Sequence, residues 1–127
     1  MMVVDTSALM AILLDEPEAD ACISALEAED ELVISAGTVA EALIVANRRN
    51  VGEEMMRLLD DLGFEIINVT AASAQRVAAA YEAWGKGIHR ASLNFGDCFA
   101  YEAAKERKAP LLYVGDDFAR TDIEGVL

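Results

Sequence analysis

Four short apolar runs, "MVVD", "ELVISA", "FEIINV" and "APLLYVG", recur along a chain of 127 residues, with two helix-length stretches between each and the next. The runs are continuously apolar rather than alternating. A strand of that kind is buried on both faces, which implies a parallel sheet covered by helices on each side. The intervening stretches carry helical periodicity. They are residues 6–14, "PEADACISALEAE" with Pro17 at its first turn, "TVAEALIVANRR", "GEEMMRLLDDL" stopped by Gly63, "TAASAQRVAAAYEAWG" closed by Gly85, and "LNFGDCFAYEAAKER". The order β-α-α-β-α-α-β-α-α-β predicts an α/β fold. One domain over 1–127 is expected, its short central parallel sheet of four to five strands flanked by helices on both faces. Sheets of this class bind ligands beyond the carboxyl ends of their strands.

Charge narrows the functions open to such a fold. The net charge is −13, which argues against a passive nucleic-acid binder with a basic surface. Residues 1–47 hold ten acids and no Lys or Arg. That half is either a solvated acidic face or a docking surface for a basic partner. Cys22 and Cys98 have no metal-type spacing and read as reduced, buried thiols of a reducing compartment. No basic region precedes the first apolar run, Asp5 interrupts it, and no stretch has the length of a membrane span. The expected location is the cytoplasm, with no membrane association.

Several acids fall where the strands end. Asp5 closes the first strand, Glu41 lies one turn into the helix after the second, and Asp97 lies in the first turn of "NFGDCFAYEAA". Asp116 and Asp117 directly follow the last strand. In a parallel sheet these positions share one edge. Each has a structural reading too. Thr38 and Glu41 satisfy the T-x-x-E capping box. Asn94 and Asp97 form an N-cap with a dipole-favoured acid three residues on. Asp5, and Asp116 or Asp117, can cap the helices that follow them. Capping accounts for each singly, but not for gathering them in apolar surroundings. Two carboxylates about 4 Å apart repel by roughly 4 kcal/mol at an effective dielectric near 20. Oxygen ligands without nearby His or Cys favour a hard cation, Mg²⁺ or Mn²⁺. Such an ion orients an in-line phosphoryl displacement and generates hydroxide from bound water.

Read together, "VVDTSALMAIL", "SAGTVAEAL", "LNFGDCFAYEAAKE" and "PLLYVGDDFARTDI" resemble the PIN-domain nucleases, and within them the VapC toxins of bacterial toxin–antitoxin pairs. The resemblance runs the length of the chain, in order. It implies a metal-dependent endoribonuclease with an acidic quartet: Asp5 of "VDTS", Glu41 of "TVAE", Asp97 of "FGDC" and one acid of "GDDF". The pattern favours Asp117 as the fourth, with Asp116 able to substitute or assist, and gives Asp122 of "TDI" a supporting role. Asp5 and Asp97 are then the direct or water-bridged Mg²⁺ ligands, and Glu41 and Asp117 complete the shell or position the attacking water. Thr6 or Ser7 either bonds a ligand carboxylate or the scissile phosphate, or caps the first helix. Arg90, and Arg48 with Arg49 at the end of the Glu41 helix, are candidates for gripping RNA phosphate. The sole histidine, His89, reads as a loop residue rather than a base. Trp84 and Tyr81 belong to the core or to an interface.

The resemblance also implies partners: RNA as substrate, a VapB-like antitoxin that wraps the toxin, a second copy in a homodimer, and operator DNA only through the antitoxin. Two rivals come from other classes. One is a binding module that joins its antitoxin in repression with little or no nuclease activity; the presence of all four acids gives that loss of catalysis no support. The other is a receiver-type Mg²⁺-binding signalling domain. That fold needs an acidic pair at the first strand, an Asp at the third and a Lys after the last; here stand a single Asp5, no acid ending "FEIINV", and "GDDF". A dehalogenase-type phosphatase needs D-x-D, and Ser7 takes the second place.

Overall fold

The computed structural model describes all 127 residues. The strands are β1 (Met2–Val4), β2 (Leu32–Ser35), β3 (Glu65–Ile67) and β4 (Leu111–Leu112). The helices are α1 (Thr6–Leu13), α2 (Ala19–Ala28), α3 (Ala36–Arg48), α4 (Gly52–Leu62), α5 (Ala71–Trp84) and α6 (Phe95–Arg107), with a short 3₁₀ turn at Phe118–Arg120. The strands form one sheet in the order β3-β2-β1-β4, every pairing parallel. The order of elements is the one the apolar runs dictate.

Register explains why such short strands suffice. Val3 stands beside Val33 and Leu111, so the three point to the same face. There they pack with Val77, Ala80, Cys98 and Phe118 under α5 and α6. Met2, Val4, Leu32, Ile34 and Leu112 point the other way, against Leu9, Cys22, Ala42 and Met55 from α1 to α4. β1, β2 and β4, of two to four residues each, thus feed two cores at once. The cysteines are free and buried, one in each core.

Four local expectations are corrected. The "FEIINV" run was expected to be buried on both faces, yet only Glu65–Ile67 pairs, and Ile66 is 55% exposed. β3 is the sheet edge, with β2 its sole neighbour. Pro17 sits in the turn before α2 rather than in its first turn. α3 starts at Ala36, because the Ser35 hydroxyl caps it by accepting from the Gly37 N–H at 3.1 Å. Thr38 and Glu41 are therefore its third and sixth residues, and their capping-box reading falls. Finally, the chain end extends the sheet: the Leu111 N–H donates to the Glu124 carbonyl, and the Val126 N–H to the Leu111 carbonyl. No helix is long and apolar enough to cross a membrane.

Candidate metal centre

Asp5 follows β1 directly, and its N–H donates to the Leu112 carbonyl of β4 at 3.0 Å. It caps α1. Its Oδ2 accepts from the Ser7 N–H at 3.0 Å and from the Ser7 hydroxyl at 2.7 Å. The same hydroxyl accepts from the Val114 N–H at 3.0 Å, which ties the segment after β4 to the carboxylate. Oδ1 of Asp5 is buried and has no hydrogen-bond partner. An orphaned acceptor of that kind is costly unless something outside the polypeptide meets it.

Asp97 shows the same division of labour. Its Oδ2 accepts from the Asn94 N–H at 2.9 Å while Asn94 Oδ1 accepts from the Asp97 N–H at 2.8 Å, a complete capping box at the start of α6. The capping and metal readings are therefore compatible, since each carboxylate commits one oxygen to its helix and keeps the other. Glu41, in the second turn of α3, accepts from the Thr6 hydroxyl at 2.6 Å. Its carboxylate lies over Gly96, where a Cβ would overlap it. Gly96 neighbours Asp97 in the chain, and this close approach brings the two acids together. Asp117 makes no side-chain cap to the 3₁₀ turn that follows it, and both it and Asp116 are exposed.

Electrostatics bind the group together. Burial pushes the Asp97 carboxyl up to about 7; the Asn94 hydrogen bond opposes the rise, and the charges of Asp5, Glu41 and Asp117 add to it. Burial likewise lifts Asp5 to about 6, against the Ser7 hydrogen bonds and with help from the Glu41 charge. Asp117, of the "GDD" pair, is close enough for its charge to bear on Asp97. None of the chain's ion pairs reaches these four acids. Nor do any three Asp, Glu, His or Cys side chains close into a ready-made ligand cage.

The remaining candidates separate. Thr6 and Ser7 have their hydroxyls engaged with site carboxylates. Arg90 is exposed in the loop before α6, its carbonyl meeting Arg120. Arg48 is not brought to the acids: it ends α3, seven residues and so about 10 Å along the axis from Glu41. His89 Nδ1 accepts from the Ala91 N–H, and its ring rests edge-on against Trp84. Trp84 and Tyr81 pack partly buried against the α5–α6 core. Asp122 is engaged with Tyr101 and Lys105. Gly96 escaped the sequence reading, although an isolated glycine inside a helix is a sign of close approach.

A family model described as the PIN domain matches residues 2–124. The chain belongs to the PIN-domain family. Ribonuclease VapC30 of Mycobacterium tuberculosis is 42% identical over 98% of this chain and 98% of its own length, which places this PIN domain in the VapC branch. The crystal structure of VapC20 of Mycobacterium tuberculosis, a toxin that cleaves the sarcin–ricin loop, has a TM-score of 0.80 at 16% identity over 99% of this chain and 98% of that one. VapBC2 of Rickettsia felis, solved with a fragment of its promoter DNA, gives 0.70 at 16% identity over 98% and 95%. The likeness to these two structures is one of fold. PIN-domain nucleases of the VapC kind depend on a divalent metal, and this chain's residues fit one. The donors are all hard oxygens, one is buried without a partner, and no internal cation balances them.

Proposed function

We propose that this PIN domain is a Mg²⁺-dependent endoribonuclease, the toxin of a VapBC-type pair, with Asp5, Glu41, Asp97 and Asp117 as its catalytic acids. The observation that carries it is the buried, unpartnered Oδ1 of Asp5 within a group of mutually repelling carboxylates. Asp5 and Asp97, each with one oxygen left free by its helix cap, would hold the ion. Glu41 and Asp117 would support it or orient the attacking water, with Asp116 assisting from the exposed rim. Mg²⁺ suits a site without a closed cage, because it binds through one or two carboxylates and keeps several waters. When bound, the ion stabilises charge on the scissile phosphate and lowers the pKa of water. Thr6 fixes the rotamer of Glu41, and Ser7 locks Asp5 to the strand end. Neither hydroxyl serves the substrate directly. Arg90 supplies a phosphate contact; Arg48 reaches RNA only where the strand continues along α3.

The acid-rich first half offers a basic antitoxin a docking surface. The Rickettsia VapBC2 complex supports a toxin–antitoxin pair that meets operator DNA through the antitoxin, and a homodimer of the toxin is expected within it. The test uses antitoxin-free protein and total RNA from its own host, with Mg²⁺, with EDTA, and with Asp97→Asn. Discrete Mg²⁺-dependent ends, missing from the variant, are expected by end-mapping. Ends that persist in Asp97→Asn, or no ends from folded protein, overturn the reading.

A further inference from the structure

Phe95 is the sole aromatic among the large apolar side chains left exposed, and at 69% the most exposed of them. It is the first residue of α6, two before Asp97, and the catalytic reading gives it no task. Its ring is nonetheless held in place. It meets Phe99 edge-to-face, with centroids 5.0 Å apart and planes at 83°. Phe99 in turn lies across Gly37 of α3, where a Cβ would overlap its ring. With Ile44, Gly96 and Glu41 these residues line a pocket of about 270 Å³, which has room to admit a nucleobase. Glu41 forms one wall, so the pocket adjoins the acids.

Electrostatics say what such a pocket can hold. The chain carries a net −13, and the four acids beside the pocket have no cationic partner. Apart from the scissile phosphate, which the metal and Arg90 would meet, attraction for phosphate is weak here. The uncharged face of a base is the further part of an RNA chain that this apolar wall, which holds no cation, can grip. Unpaired bases stack on aromatic rings with little regard to sequence. We propose that Phe95 is a stacking platform for an unpaired nucleobase flanking the scissile phosphate, received in the pocket between α3 and the start of α6. This rests on the nuclease reading and extends it to the nucleotide beside the cut.

The probe is a short fluorescein-labelled RNA spanning a cut mapped in total RNA, with copies that carry a single abasic residue at each flanking position. Binding is measured in the Asp97→Asn background, where the RNA stays intact, and cleavage in the active one. Phe95→Ala is expected to weaken binding and raise KM about tenfold with kcat nearly unchanged. Phe95→Trp should retain both. One abasic RNA should bind the parent as weakly as intact RNA binds Phe95→Ala, with no further loss when the two are combined. Equal affinity of parent and Phe95→Ala for intact RNA overturns the proposal. So does an equal loss at every abasic position. If Phe95→Ala instead dissociates a dimer or releases the antitoxin, with RNA affinity per chain unchanged, the face belongs to a protein and the proposal falls. Failure of the nuclease reading looks different: the parent itself would leave RNA uncut.

Discussion

Along α6, Asp97 and Glu102 lie five residues apart and are equally buried, each 9% exposed. Glu102 receives the Arg76 guanidinium of α5 at 2.9 Å, which also meets Glu106 at 3.3 Å. Asp97 faces three further acids instead. The contrast extends to the elements around each. On the flank away from the site, Asp122 is held below the usual carboxylate range by the Tyr101 hydroxyl and Lys105, and Glu65 by Arg107. At the strand ends, Asp5 and Asp97 are lifted to about 6 and about 7. One region settles its charges internally. The other leaves them to a group from outside, and the metal-free fold is destabilised until one arrives.

The largest test of this contrast is pH. Both carboxyls have folded pKa values above their ordinary 3.8, so between about pH 4 and 7 the folded state keeps protons that the unfolded chain has released. Stability of metal-free protein should fall as pH rises through that window and level off above it. From pH 5 to 8 in EDTA the loss should be about 3 kcal/mol, seen as a drop in Tm on the order of 10 °C. Mg²⁺ should recover more of it at pH 8 than at pH 5, where protons compete. A Tm that stays flat or climbs over this range would break the comparison.

Two isosteric substitutions on α6 should then move stability in opposite directions. Asp97→Asn keeps an oxygen for the Asn94 N–H and removes the repelled charge. It should stabilise metal-free protein at pH 8 by roughly 2 kcal/mol. Glu102→Gln strands part of Arg76, which is 44% exposed and retains Glu106, and should cost about 1 kcal/mol while leaving cleavage unchanged. Urea denaturation of both in EDTA decides it, and shifts of the same sign would sink the idea. The smallest effect is expected at Gly96→Ala. Its Cβ displaces the Glu41 carboxylate, so the Mg²⁺ concentration for half-maximal cleavage should rise about fivefold, with the protein still folded.

Much of this was legible from residue order. The apolar runs place β1, β2 and β4, since a strand of two to four residues between two cores must be apolar throughout, save where, as at Ser35, its last residue turns to cap the next helix. The run at β3 looked alike, but whether a strand lies inside a sheet or at its edge depends on pairings the run does not contain. Ser35 and Thr38 both precede the apolar period of α3, and periodicity cannot say which hydroxyl caps; the neighbouring strand decides. The four proposed acids were legible as carboxylates set in apolar runs after strands, although only Asp5 directly follows one. Glu41 and Asp97 lie inside helices, and Asp117 stands five residues past β4. That Asp5 and Asp97 divide their oxygens, that Thr6 reaches Glu41, and that Gly96 makes room for it are facts of distance between elements.

The split use of Asp97, one oxygen for the helix and one for the site, has an evolutionary corollary. An asparagine there keeps the cap and lacks the charge, and the two residues' codons differ by one G-to-A transition. On the role proposed for Asp97, a lineage can therefore pass in a single nucleotide step from an active copy to a silent one that keeps the cap, and a single reversion restores it. The cell's genome can hold such a gene disarmed without losing its architecture.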